Sequence, residues 1–116
     1  MYRYLSIRSG PKYSKSVAAM DVDAFLGGRP ELKRKAALSY ENNTEFPWLQ
    51  VLAVFGDENG NYAMDVTRQP NTVNQIELIC SIDGSDAAVH AYYTLAQKIA
   101  AKFEWEVFDS EFEGGI

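Results

Sequence analysis

Between residues 75 and 109 the hydrophobic period changes twice, and this double change restricts the fold more than any other stretch of the chain. "QIELICSI" (75–82) carries Ile76, Leu78, Cys80 and Ile82 on one side and Glu77 and Ser81 on the other, the two-residue period of a strand. The following "DGSDAAVHAYYTLAQKIAAKF" repeats its apolar residues at helical spacing. Ala88, Tyr92, Leu95, Ala96, Ile99 and Phe103 form one stripe, with His90, Thr94, Gln97 and Lys98 opposite. Ser85 is suited to cap this helix and Asp86 to complement its N-terminal dipole. After Glu104 the two-residue alternation returns in "WEVFD". A helix with one apolar stripe, set between two strands, needs a sheet to pack against.

The rest of the chain supplies that sheet. "YRYLSIR" (2–8) alternates, with Leu5 and Ile7 on one face and Tyr2, Tyr4 and Ser6 on the other, before Gly10-Pro11 breaks it. From Ser14 or Ser16, the positions Val17, Met20, Ala24 and Phe25 follow helical spacing towards Gly27-Gly28; Asp21 could instead cap a shorter helix starting at Val22. In "LKRKAALSYEN" Ala36, Leu38 and Tyr40 alternate as one strand would, and "NNTEFP" (42–47) is rich in turn formers. "WLQVLAVF" (48–55) is apolar on both faces, the pattern of a central strand. In "FGDENGNYAMDV" (55–66), Asn59-Gly60 predicts a type I′ hairpin that sets Phe55 opposite Met64 and Ala53 opposite Val66. "RQPNTVN" (68–74) is a further loop. The order is β-α-β-β-β-β-α-β, or one strand fewer if 32–41 is irregular. Either describes a single α+β domain over residues 1–116: a two-layer sandwich with a mainly antiparallel sheet and two helices on one face. Residues 110–116 are expected to fray beyond it.

A chain of 116 residues with 47% hydrophobic content can bury roughly two thirds of its unfolded surface without metals or disulfides. Cys80, the one cysteine, sits within an apolar run and reads as a small buried hydrophobe. No apolar run approaches the roughly 20 residues of a membrane span, and "MYRYLSIRSG" has no apolar core of an export signal, so the cytoplasm is the expected location. The net charge of −5 is unevenly spread. Residues 1–35 hold eight bases against three acids, whereas residues 104–116 hold five acids and no base. An acidic excess with no basic, aromatic-interleaved motif disfavours nucleic acid as a ligand.

Catalytic motifs are missing. His90, the one histidine, falls on the polar side of its helix, and one His with one Cys cannot assemble a zinc set. No G-x-S-x-G elbow occurs. "DENGN" (57–61) puts Gly60 fourth rather than sixth, and residue 68 is Arg where a calcium loop needs Glu. Asp21 and Asp23, two apart on a helix, point to different faces and make no carboxylate dyad. No cofactor, metal or enzymatic reaction is expected. The softer features suggest recognition instead: the basic run "LKRK" (32–35), Phe46 and Trp48 flanking Pro47, and the acids that alternate along the last strand and its extension.

The ending "LAQKIAAKFEWEVFDSE", on a small acidic α+β chain, resembles the small cytoplasmic immunity proteins that accompany bacterial toxins, including those of contact-dependent growth inhibition. The resemblance spans residues 48–113. It implies a non-enzymatic inhibitor that binds a cognate toxin domain, often a nuclease, and covers or distorts its active site. Nuclease toxins present basic surfaces, which an acidic inhibitor can match and be steered towards. On that reading Asp57, Glu58, Asp65, Glu106, Asp109, Glu111 and Glu113 supply charge, and Trp48 and Tyr62 supply anchors. A small cytoplasmic adaptor or a homodimer pairing through a sheet edge is the alternative.

Overall fold

The computed structural model describes residues 2–10, 14–56, 71–81 and 85–109. The strands are β1 (Tyr2–Arg8), β2 (Val17–Ala18), β3 (Leu32–Ala36), β4 (Ser39–Asn42), β5 (Leu49–Val54), β6 (Thr72–Val73), β7 (Gln75–Ser81) and β8 (Glu106–Asp109); the helices are α1 (Ala19–Gly27) and α2 (Asp86–Phe103). Six strands form one antiparallel sheet in the order β3-β4-β5-β7-β1-β8, and β2 pairs with β6 in a separate ladder. The chain is therefore α+β, with helices on a mainly antiparallel sheet, as its periodicities predict. The N-terminal strand lies inside the sheet. It pairs β7 through Leu5↔Leu78 and Ile7↔Ile76, and β8 through Leu5↔Asp109 and Arg8↔Glu106.

Alternation assigns the two faces. Leu5 and Ile7, Ile76, Leu78 and Cys80, Leu49, Val51 and Ala53, and Tyr40 share one face and are all buried. Val22 and Leu26 from α1, and Tyr92, Leu95, Ala96 and Ile99 from α2, belong to the same apolar cluster. Each fully buried aliphatic side chain contributes roughly 1.5–3 kcal/mol relative to exposure, so this face holds the sandwich together. Of the expected α2 stripe, Tyr92, Leu95, Ala96 and Ile99 are buried and Ala88 and Phe103 are partly buried against the same cluster, with Ala100 buried beside them. Ser85 caps the helix by accepting from the Ala88 N–H at 3.2 Å. The helix closes on Glu104 in the left-handed conformation, with its N–H turned back to the last carbonyls.

The N-terminal helix corrects the expectation. Val17 lies in β2, Met20 is exposed, and the buried residues of α1 are Val22 and Leu26. The helix is too short for its apolar spacing to settle which stripe wins; the ladder between β2 and β6 and the Ala19 N–H to Asn71 carbonyl bond set its rotation. It ends at Gly27, but Gly28 is right-handed, so neither glycine serves as a left-handed cap. Gly27 instead leaves room for a neighbouring side chain. A Cβ there would lie 2.2 Å from the Arg34 guanidinium, which crosses this point to reach Asp23.

Residues 32–41 also differ from expectation: one strand becomes the hairpin β3–β4, turning at Ala37-Leu38 with a register shift between Arg34 and Ala36. No glycine or asparagine marks the turn. Leu38 takes φ 59° there. Its buried side chain and the bond from the Ala53 N–H to its carbonyl, at 3.0 Å, outweigh the backbone strain. The hairpin expected at Asn59-Gly60 lies outside the described residues, as do Asp57, Glu58, Tyr62, Asp65, Glu111 and Glu113.

Cys80 is buried against α2, and burial pushes its thiol up to about 12. An aromatic disulfide reagent should therefore leave the native thiol unlabelled for as long as the protein stays folded, and label it at once in denaturant. Rapid native labelling, followed by absorbance of the released thiolate, would overturn this placement.

Candidate protein-binding face

The sheet face opposite the helices collects the other half of every alternating strand. Its register gives four rows. Glu106 lies opposite Arg8, and Gln75 opposite Val54, at one end. Phe108, Ser6, Glu77, Leu52 and Ser39 form the next row. Tyr4, Ile79, Gln50, Glu41 and Lys33 form the third. Tyr2 and Ser81 form the last, with Trp48 just ahead of β5.

The two ends of this face differ. At the Arg8 end the side chains are closed over. Arg8 is 8% exposed; its guanidinium lies 4.0 Å from the centre of the Phe108 ring and donates to Ser6 Oγ at 3.1 Å. Gln75 Nε2 donates to Glu77 at 2.5 Å. At the other end, three aromatic rings stand in solvent: Tyr2 is 55% exposed, Tyr4 46% and Trp48 43%. Tyr2 and Trp48 stack, with centroids 5.2 Å apart and planes inclined by 29°. One strand, β7, separates these residues, and the small Ser81 on it lets the rings meet. The Trp48 backbone is fixed from the covered side, because its carbonyl accepts the Tyr92 hydroxyl at 2.6 Å. The Tyr92 bond thus positions the Trp48 backbone, and the exposed indole rests against Tyr2.

Trp48 is exposed, as an anchor must be, and Glu106 is exposed on the same face. Asp109 is placed differently. It lies on the helix side of β8, 8% exposed, with a carboxylate oxygen 4.0 Å from Arg3 Nε. Counting the acids of the last strand as one solvent face fails here because Glu106 and Asp109 are three residues apart and so point to opposite faces. Tyr2 and Tyr4 escaped notice as binding residues. The available signal was the alternation of β1 itself, which sets two tyrosines on the side away from Leu5 and Ile7.

Two polar clusters elsewhere serve packing. Asp23 on α1 receives Arg34 in a two-point contact, at 3.2 and 3.0 Å, and also the Tyr40 hydroxyl. The Tyr40 hydrogen bond, ahead of Arg34, outweighs burial and holds the Asp23 carboxyl below its ordinary value. Glu31 joins β3 to α2, meeting Arg29 Nε and Lys98 Nζ each at 3.2 Å. Burial pushes the Glu31 carboxyl up, but hydrogen bonds from its own backbone, Arg29 and Lys98 bring it net below its ordinary value. Both carboxylates are favoured ionised in the fold, so their stabilisation is present above the unfolded pKa and lost as pH falls through the folded one. Tyr40→Phe should lower stability at neutral pH, with the gap from the parent protein closing as pH falls below about 4. Urea unfolding across that range measures it; a pH-independent gap would contradict the Asp23 assignment.

Among the described residues no three His, Cys, Asp or Glu side chains converge as metal ligands, and no helix is long and apolar enough to cross a membrane. His90 is exposed on the outer side of α2. No family model, curated protein or solved structure matches the chain.

Proposed function

We propose that this chain is a non-enzymatic protein-binding module: a cytoplasmic immunity protein that binds and neutralises a basic, nuclease-type toxin domain. The observation that carries the proposal is the exposed cluster of Tyr2, Tyr4 and Trp48 on the sheet face opposite α1 and α2. Aromatic side chains have few rotatable bonds and so cost little ordering entropy when a partner covers them, and such residues dominate binding energy at protein interfaces. The net charge of −5 supports steering towards a basic partner.

An edge-paired homodimer is less favoured. Of the two edge strands, β3 has five residues, carries exposed Lys33, Arg34 and Lys35 and is bulged, and β8 has four residues with Glu106 exposed; short, charged or bulged edges discourage edge-to-edge pairing.

The test starts from the adjoining reading frame: where it encodes a large secreted protein, the C-terminal domain of that protein is co-expressed with this chain. The parent chain should restore growth and form a one-to-one complex whose association slows as salt rises. Trp48→Ala should weaken the complex by about thirtyfold or more, the effect of a hot-spot truncation. Its unfolding midpoint should barely move, because the ring is nearly half exposed. Full protection by Trp48→Ala would sink the proposal.

A further inference from the structure

We infer that Tyr2 is a positioning residue of the binding face: its ring, stacked on Trp48, sets the orientation in which the indole meets a partner. The inference rests on the protein-binding reading and adds how the contact is prepared before a partner arrives.

The backbone of Trp48 is held from the helix side. Its carbonyl accepts the Tyr92 hydroxyl at 2.6 Å, and the next residue, Leu49, is fully buried and paired with Cys80 on β7. Tyr92 is itself buried and packs edge-on against Phe46, with ring centroids 6.2 Å apart. The indole keeps the rotations about its two side-chain bonds. The core does not settle them, because Trp48 is 43% exposed and stands outside the buried apolar cluster.

Tyr2 supplies the missing restraint. Its backbone pairs with Ser81 on one side of β7, while Leu49 pairs with Cys80 on the other side of the same strand. The width of β7 thus sets the spacing of the two rings, which stack with centroids 5.2 Å apart and planes inclined by 29°. Stacking of this kind favours the paired orientation about two- to tenfold. A partner that covers an indole already in one orientation loses less entropy in ordering it, and the complex dissociates more slowly. Tyr2 acts through Trp48 and not on the partner.

The order of the indole is measured on the free chain by NMR relaxation of its Nε1–H, with Trp105, 7% exposed, as the internal reference. In the parent chain the Trp48 order parameter should lie near that of Trp105. Tyr2→Thr removes the ring and keeps a strand-forming side chain. It should lower the Trp48 value below about 0.6 and leave Trp105 unchanged. Tyr2→Phe keeps the ring and should match the parent. Complex formation is then measured with the toxin domain of the co-expression test. Tyr2→Thr should weaken the complex about three- to tenfold, and Tyr2→Phe by less than about twofold. In a Trp48→Ala background Tyr2→Thr should have no further effect, because a residue that acts through the indole cannot act without it. Additive losses would mean that Tyr2 touches the partner directly, and overturn the inference. A Trp48 indole as mobile in the parent chain as in Tyr2→Thr also overturns it, and leaves the protein-binding proposal standing. If the relaxation results are as expected but no complex forms, the immunity reading falls and the placement of the indole by Tyr2 stands.

Discussion

Truncating Leu78 to Ala should destabilise the protein by about 2–5 kcal/mol, read as a lower urea midpoint at unchanged slope. Leu78 is fully buried on β7, between Leu5 of β1 and Val51 of β5, and faces the helices. Trimming its isobutyl side chain to methyl discards transfer free energy and leaves a cavity that six-stranded packing cannot readily collapse. A domain of this size is stable by only about 5–15 kcal/mol, so the variant should be substantially unfolded near its former midpoint. Ile79, the next residue, points to the other face and is half-buried. Ile79→Ala should cost clearly less, and equal losses would mean the two faces are assigned wrongly.

Asp109→Ala should cost about 1–3 kcal/mol, a stability effect and not a binding effect. The carboxylate is buried on the helix side of β8 beside Arg3, and its removal takes the opposing charge away from a largely buried guanidinium. Breaking a fully buried pair costs more, about 3–5 kcal/mol. The 4.0 Å separation and the 20% exposure of the Arg3 side chain reduce the expected loss here. Glu106→Ala, three residues earlier on the exposed face, should leave stability within about 0.5 kcal/mol. Its effect should appear as slower association with a basic partner. The reverse pattern, with Glu106 affecting stability and Asp109 affecting association, would show that β8 is turned over relative to this structure.

Residues whose environment depends on near neighbours were readable from the chain. The stripe of α2, the Ser85 cap, the inward set on β7 and the alternation of β1 all follow from periods of 3.6 and 2, because each element is long enough for one pattern to dominate. The burial of Cys80 follows from the same alternation. Short elements were harder. In α1 two stripes compete within nine residues, and pairing of β2 with β6 selects Val22 and Leu26 over Met20 and Ala24. The β3–β4 turn carries no turn-forming residue; Leu38 adopts a left-handed backbone because the core holds its side chain.

The candidate site divides along the same line. That Trp48 begins a strand, and that Tyr2 and Tyr4 lie opposite Leu5 and Ile7, is written in local order. That the Tyr2 and Trp48 rings stack is not, because these residues are 46 positions apart and meet across β7 only through sheet order and register. The sequence likewise determined how acidic the final strand is, but not which of its acids reach solvent. That was decided when β8 took its place beside β1, with Asp109 opposite Leu5 over the core and Glu106 opposite Arg8 on the free face. Composition and periodicity are local properties, readable along the chain. Which surfaces meet, and which stay open for a partner, depends on contacts between distant segments that only the folded sheet creates.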